Sequence, residues 1–104
     1  MGDAGSAHAR FRRALLTGNL ALIDASAREL PQISLSDALR ILVVMAQKRD
    51  ERFARAGARW AGRVIAERRL SLDESHRLLT LVAALPVAPE SIAVLLRDYC
   101  ESTI

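Results

Sequence analysis

The chain has 104 residues, of which 51% are hydrophobic and 26% charged, with 15 basic and 12 acidic side chains. This composition excludes a disordered or collagen-like chain, and a single cysteine excludes a disulfide framework and a Cys-rich zinc module. No apolar run reaches the roughly 18 residues that a membrane-spanning helix needs.

Fourteen of the 15 basic residues are arginine, Lys48 being the exception, and the net charge is only +3. Arginine and alanine abundance with almost no lysine has two competing origins: the codon usage of a GC-rich genome, or a surface for an anionic partner. The opening Met1-Gly2-Asp3-Ala4-Gly5-Ser6 is small and polar. It lacks the basic and apolar segments of a secretory signal, and Asp3 argues against lipidation. A cytoplasmic location and a reduced Cys100 are expected. Residues 1–6 are expected to form a flexible tail, 7–100 a single helical domain and 101–104 a frayed end.

Alanine and leucine dominate, aromatic residues are scarce and no stretch alternates cleanly, so the chain is expected to be all-α. Helix 1 is predicted from Ala7 to Leu16, with Phe11, Ala14 and Leu15 at helical spacing. Gly18 suits the left-handed closing position, and Asn19 suits the N-cap of the next helix. Helix 2 is predicted from Leu20 to Leu30, where Leu20, Ile23, Ala27 and Leu30 make an apolar stripe. Pro31 disfavours helix at the residue before it. Helix 3 starts at Ser34, with Asp37 as the acidic member of a capping box, and continues to Lys48. Its segment Ile41–Ala46 is apolar all round, which points to burial on several sides.

Helix 4 is predicted from Glu51 to Arg68, with Asp50 as N-cap. Phe53, Trp60 and Val64 share one face, and Trp60, with small neighbours, is expected to be a core anchor. Gly57 and Gly62 are expected to permit close helix packing. Helix 5 opens with a capping box, Ser71-Leu72-Asp73-Glu74, and runs to Leu85 through another nearly apolar segment. Helix 6 opens near Pro89 and runs to Tyr99.

Helices 3 and 5 echo one another at an offset of 37 residues. Ser34-Leu35 aligns with Ser71-Leu72, Arg40 with Arg77, and Ile41-Leu42 with Leu78-Leu79. The expected fold is a compact bundle of five or six antiparallel helices with helices 3 and 5 at its centre. Two stacked HEAT-like helix pairs are the alternative description.

Several landmarks occur together: Phe11-Arg12-Arg13-Ala14-Leu15, Gly18-Asn19-Leu20, Ala27-Arg28-Glu29-Leu30, Leu35 with Ala38-Leu39, and Ala58-Arg59-Trp60. In these the chain resembles, from about His8 to Leu96, a group of short Arg- and Ala-rich helical proteins from GC-rich bacteria. The resemblance implies a helical cytoplasmic protein and carries over no activity, cofactor or site residue.

No phosphate-binding glycine loop, nucleophile turn or zinc-binding helix motif is present. His76 lies within a turn of Asp73, an arrangement met far more often as a surface hydrogen bond than as a proton-transfer pair. Cys100 has Arg97 three residues earlier, which lowers a thiol pKa where the two meet. No catalytic, metal or cofactor site is expected. The most organised polar feature is Arg52, Arg55, Arg59 and Arg63, spaced by three, four and four along one ridge of helix 4, with Lys48 and Arg49 extending it. Glu51 is placed to pair with Arg55, and Arg63 with Glu67, while Arg59 has no acid at that spacing. The leading expectation is a small interaction module without catalysis, binding a protein partner through this ridge or a groove beside helices 2 and 4, or associating with itself. The alternative is non-specific nucleic-acid binding through the same arginines, with affinity that falls steeply with salt.

Overall fold

The computed structural model describes residues 3–101. It contains six helices: α1 (Asp3–Thr17), α2 (Leu20–Ala27), α3 (Leu35–Gln47), α4 (Phe53–Arg68), α5 (Leu72–Ala84) and α6 (Pro89–Cys100). No strand occurs among the described residues, so the all-α reading holds. The chain divides into two compact units, the first ending at Ser34 and the second beginning at Leu35, where the sequence suggests one domain over residues 7–100. The boundary falls at the end of the non-helical stretch 28–34, which contains Pro31.

In the first unit α1 packs against α2. Helix α1 starts four residues earlier than Ala7, because Ala4 and Ala7 are strong helix formers and outweigh the cost of Gly5. Residues 3–6 are thus helical, and the expectations for Met1, Gly2 and residues 102–104 lie outside the described residues. Phe11 and Ile23 are fully buried, with Ala14 and Leu15 close behind. The turn between the helices follows the sequence closely. Gly18 has φ +69°, Asn19 caps α2 by accepting the Leu22 N–H at 3.2 Å, and the Asn19 N–H donates to Thr17 Oγ1 at 3.0 Å. Helix α2 ends at Ala27 rather than Leu30. Beyond it the Glu29 and Leu30 N–H groups reach back only three residues, to Ser26 and Ala27. This tightening is the form a helix takes as it nears a proline.

The second unit is a ring of four helices. Helix α3 packs on α4, α4 on α5, α5 on α6, and α6 closes back on α3, while α4 also touches α6 across the diagonal. Short connections make successive helices run in opposite directions. Closure of α6 on α3 describes a bundle rather than stacked pairs, so the 37-residue echo reflects two similar helix starts and not a solenoid. Nor do α3 and α5 make a common centre. Leu42, Val44, Met45 and Ala46 of α3 are buried, as its apolar run implies. In α5, however, only Leu78 and Val82 are buried, and Leu72 and Leu79 are exposed. A run of leucines fixes helicity without saying how many sides are covered. Leu78, Leu85, Leu96 and Val64 are fully buried and supply the middle of this unit.

Helix α4 is the element that the others lean on. Trp60 is 3% exposed, and its indole Nε1–H donates to the Leu35 carbonyl at 3.0 Å, tying α4 to the first residue of α3. Gly57 is buried where a Cβ would come 3.0 Å from Val82 Cγ1 of α5, so its lack of a side chain sets that close approach. Gly62 is different: nothing lies within 4 Å of where its Cβ would be, so it plays no part in packing.

Helices α3 and α4 both close without glycine. Arg49 and Arg69 are left-handed, with φ +53° and +51°. At the end of α3 the Asp50 N–H reaches the Met45 carbonyl and the Arg49 N–H that of Ala46, a Schellman closure. At the end of α4 the Arg69 and Leu70 N–H groups both reach the Ile65 carbonyl. Each left-handed arginine costs about 1 kcal/mol relative to glycine. Because Asp50 belongs to the first closure, α4 begins at Phe53 and not Glu51. Asp50 instead holds a turn, accepting the Arg52 N–H at 2.8 Å. The α5 capping box is complete: the Ser71 N–H donates to Glu74 Oε1 at 2.9 Å and the Glu74 N–H to Ser71 Oγ at 3.2 Å.

Three measurements follow. Trp60→Phe keeps a ring but removes the indole donor and should cost about 1–3 kcal/mol in urea unfolding, while Trp60→Ala should cost about 3–5 kcal/mol. Gly62→Ala should stabilise by about 0.5–1 kcal/mol, whereas Gly57→Leu should destabilise by about 1–3 kcal/mol as α4 and α5 are forced apart. The bonds to Ser71 hold the Glu74 carboxyl below its ordinary pKa. A depressed carboxyl contributes stability above its unfolded-state pKa and loses it as pH falls through the folded-state value. The stability difference between the parent chain and Glu74→Gln should therefore be full at neutral pH and shrink as acid protonates Glu74.

Candidate functional site

The amphipathic register of α4 buries Gly57, Trp60, Ala61 and Val64 and turns Arg55, Arg59 and Arg63 outward on the opposite side. Arg52 precedes the helix as its N-cap residue and makes no side-chain cap bond. The four arginines expected to act together divide into two kinds. Arg52 grips Asp50 with both ends of its guanidinium, Nε to Oδ1 at 3.0 Å and Nη2 to Oδ2 at 3.2 Å. This bond is the main reason the Asp50 carboxyl sits below its ordinary pKa. Arg63 donates from Nε to Glu67 Oε2 at 3.1 Å, the expected pair at four-residue spacing.

Arg55 and Arg59 are exposed and make no ion pair or hydrogen bond with the described residues. The expected pairing of Glu51 with Arg55 does not form. Glu51 lies in the turn before α4, outside the helical geometry that brings residues four apart together. Ala54, Ala58 and Gly62 lie beside these arginines on the outer side of α4, all exposed. Helix α5, packed on α4 at Gly57 and Val82, carries an exposed stripe of Leu72, Leu79 and Ala83. The outer side of α4 thus offers two unneutralised guanidinium groups, while the bare apolar side chains of α5 lie on a separate helix face.

No protein-family model, curated protein or solved structure matches this chain. The reading of its surface therefore rests on the geometry itself.

The remaining sequence candidates sit apart from the ridge. His76 and Asp73 line one cleft with Arg77, Thr80, Leu81 and Tyr99, but they do not bond to each other. His8 is half-buried beside Phe11, their ring centres 6.4 Å apart. Cys100 is buried, and its Sγ lies 3.8 Å from the Leu96 carbonyl. Burial pushes its thiol up, outweighing the opposing effects of a Ser36 hydrogen bond and of Arg68 and Arg97. It behaves as a small apolar core residue, not an activated nucleophile. Among the described residues no group of three or more His, Cys, Asp or Glu is placed to hold a metal ion, and no helix is long and apolar enough to cross a membrane.

One functional arrangement has no counterpart in the sequence reading. Arg68, in the last turn of α4, donates from Nε to the Tyr99 carbonyl at 3.1 Å and from Nη2 to the Cys100 carbonyl. It satisfies the orphan carbonyls that end α6. A basic residue in a last turn suggests an interaction with its own helix end, and nothing in the local sequence points to a helix end 31 or 32 residues away.

Proposed function

We propose that this chain is a small bacterial, cytoplasmic interaction module without catalytic activity, which docks an acidic protein segment along α4. The observation that supports this reading is the pair Arg55 and Arg59, exposed and unneutralised one turn apart on the outer side of α4. Guanidinium groups offer forked donors that match carboxylates, and the small residues Ala54, Ala58 and Gly62 beside them let an extended acidic segment approach the helix closely. Two features weigh against nucleic acid as the partner. Of the four arginines, Arg52 and Arg63 already hold carboxylates, which leaves Arg55 and Arg59, with Lys48 and Arg49 before them, fewer than the roughly six to ten phosphate contacts of a steeply salt-dependent binder. The ridge also has no exposed aromatic ring for base stacking.

The test uses the full chain and a fluorescent acidic peptide. A labelled mixed-sequence DNA duplex is measured in parallel at low and physiological salt. Saturable peptide binding should weaken about tenfold in the double variant Arg55→Gln/Arg59→Gln, with stability unchanged within about 0.5 kcal/mol because both side chains are exposed. Peptide binding of equal strength in the double variant overturns the reading. Steeply salt-dependent duplex binding that the same variant abolishes replaces it with the nucleic-acid reading.

A further inference from the structure

A second surface, away from α4, has the shape and chemistry of a ligand site. Helices α3 and α6 leave between them a cleft of about 330 Å³, lined by Ser36, Leu39, Arg40, Val43, Ala93, Arg97 and Glu101. Its floor is apolar: Leu39 is 2% exposed and Ala93 is 3% exposed, and Val43 is half-buried. Arg40 of α3 and Arg97 of α6 line it from opposite helices. Neither Arg40 nor Arg97 makes an ion pair or hydrogen bond with the described residues. Arg97 has Glu101 four residues on, but the helix ends at Cys100 and Glu101 is extended, with φ −98° and ψ 142°. The usual pairing along a helix is broken there.

We infer that this cleft binds a small aliphatic carboxylate, its chain on Leu39, Val43 and Ala93 and its carboxylate between Arg40 and Arg97. Size and charge select the ligand class. The volume lies at the bottom of the range of about 300–1,000 Å³ for small-molecule sites, so it suits a single short chain and not a nucleotide or a folded peptide. The apolar floor disfavours a bare inorganic anion. Two arginines against one glutamate leave one net positive charge in the lining, which a monoanion neutralises and a dianion exceeds. Planar guanidinium forks pair with a carboxylate in two parallel hydrogen bonds. The inference does not depend on the reading of α4, since none of the lining residues lies on that helix.

The experiment is titration of the full chain with sodium octanoate, followed by amide chemical shifts, with octanol as the uncharged control. Saturable shifts should centre on Leu39, Val43 and Ala93. Arg40→Gln and Arg97→Gln should each weaken binding about tenfold. Glu101→Gln should tighten it about threefold, because it removes the competing carboxylate. Arg55→Gln/Arg59→Gln should leave it unchanged. No saturation by about 10 mM octanoate overturns the inference. So does octanol binding as tight as octanoate, equal affinity in both single arginine variants, or weaker binding by Glu101→Gln.

Discussion

The indole hydrogen bond from Trp60 to the Leu35 carbonyl is the constraint on which the second unit depends. It joins residues 25 positions apart and sets α4 against the start of α3. On the same buried face, one turn earlier, the missing side chain of Gly57 admits Val82 of α5. From the last residue of the helix, Arg68 reaches the last carbonyls of α6. A single helix thus engages all three of its neighbours by three different means: a directed hydrogen bond, a close approach and a cross-helix cap. Burying the core face of α4 this thoroughly leaves its opposite side with nothing to pack on, so Arg55 and Arg59 face outward as a consequence of how the core is made.

Much of this architecture is legible in the chain because the signals are local. Gly18 and Asn19 state both halves of a turn, Ser71 and Glu74 state a reciprocal cap, and Pro89 opens a helix. The places where reading and structure part are those where one residue is claimed by two elements. Asp50 reads as an N-cap, yet its N–H closes α3, and α4 has to wait until Phe53. Arg49 and Arg69 end helices as glycine commonly does, and nothing in an arginine announces a left-handed conformation. The leucines of α5 show a different limit. Composition reports that a helix is apolar, while burial depends on how many neighbours the ring supplies, and an outer corner supplies few.

The candidate site was half legible. Spacing alone brings Arg55, Arg59 and Arg63 to one side of a helix. Which of the ridge arginines are free is a tertiary question: Asp50 takes Arg52 from the preceding turn, Glu67 takes Arg63 one turn on, and Glu51 misses Arg55 because the helix has not yet begun. The cleft between α3 and α6 is the less visible of the two surfaces. Arg40 and Arg97 are 57 positions apart in the chain, and only the closure of the helical ring brings them to one cleft.

The left-handed arginines on either side of α4 also shape its electrical profile. With Arg49 before the helix and Arg68 and Arg69 at its close, positive groups are strung along the whole of α4. A 16-residue helix is about 24 Å long. At physiological ionic strength a charge is felt over only about 8 Å, so the row does not act as one concentrated pole. It acts as a series of separate, locally sensed charges. An ion near one end of the helix is therefore scarcely affected by the charges at the other end.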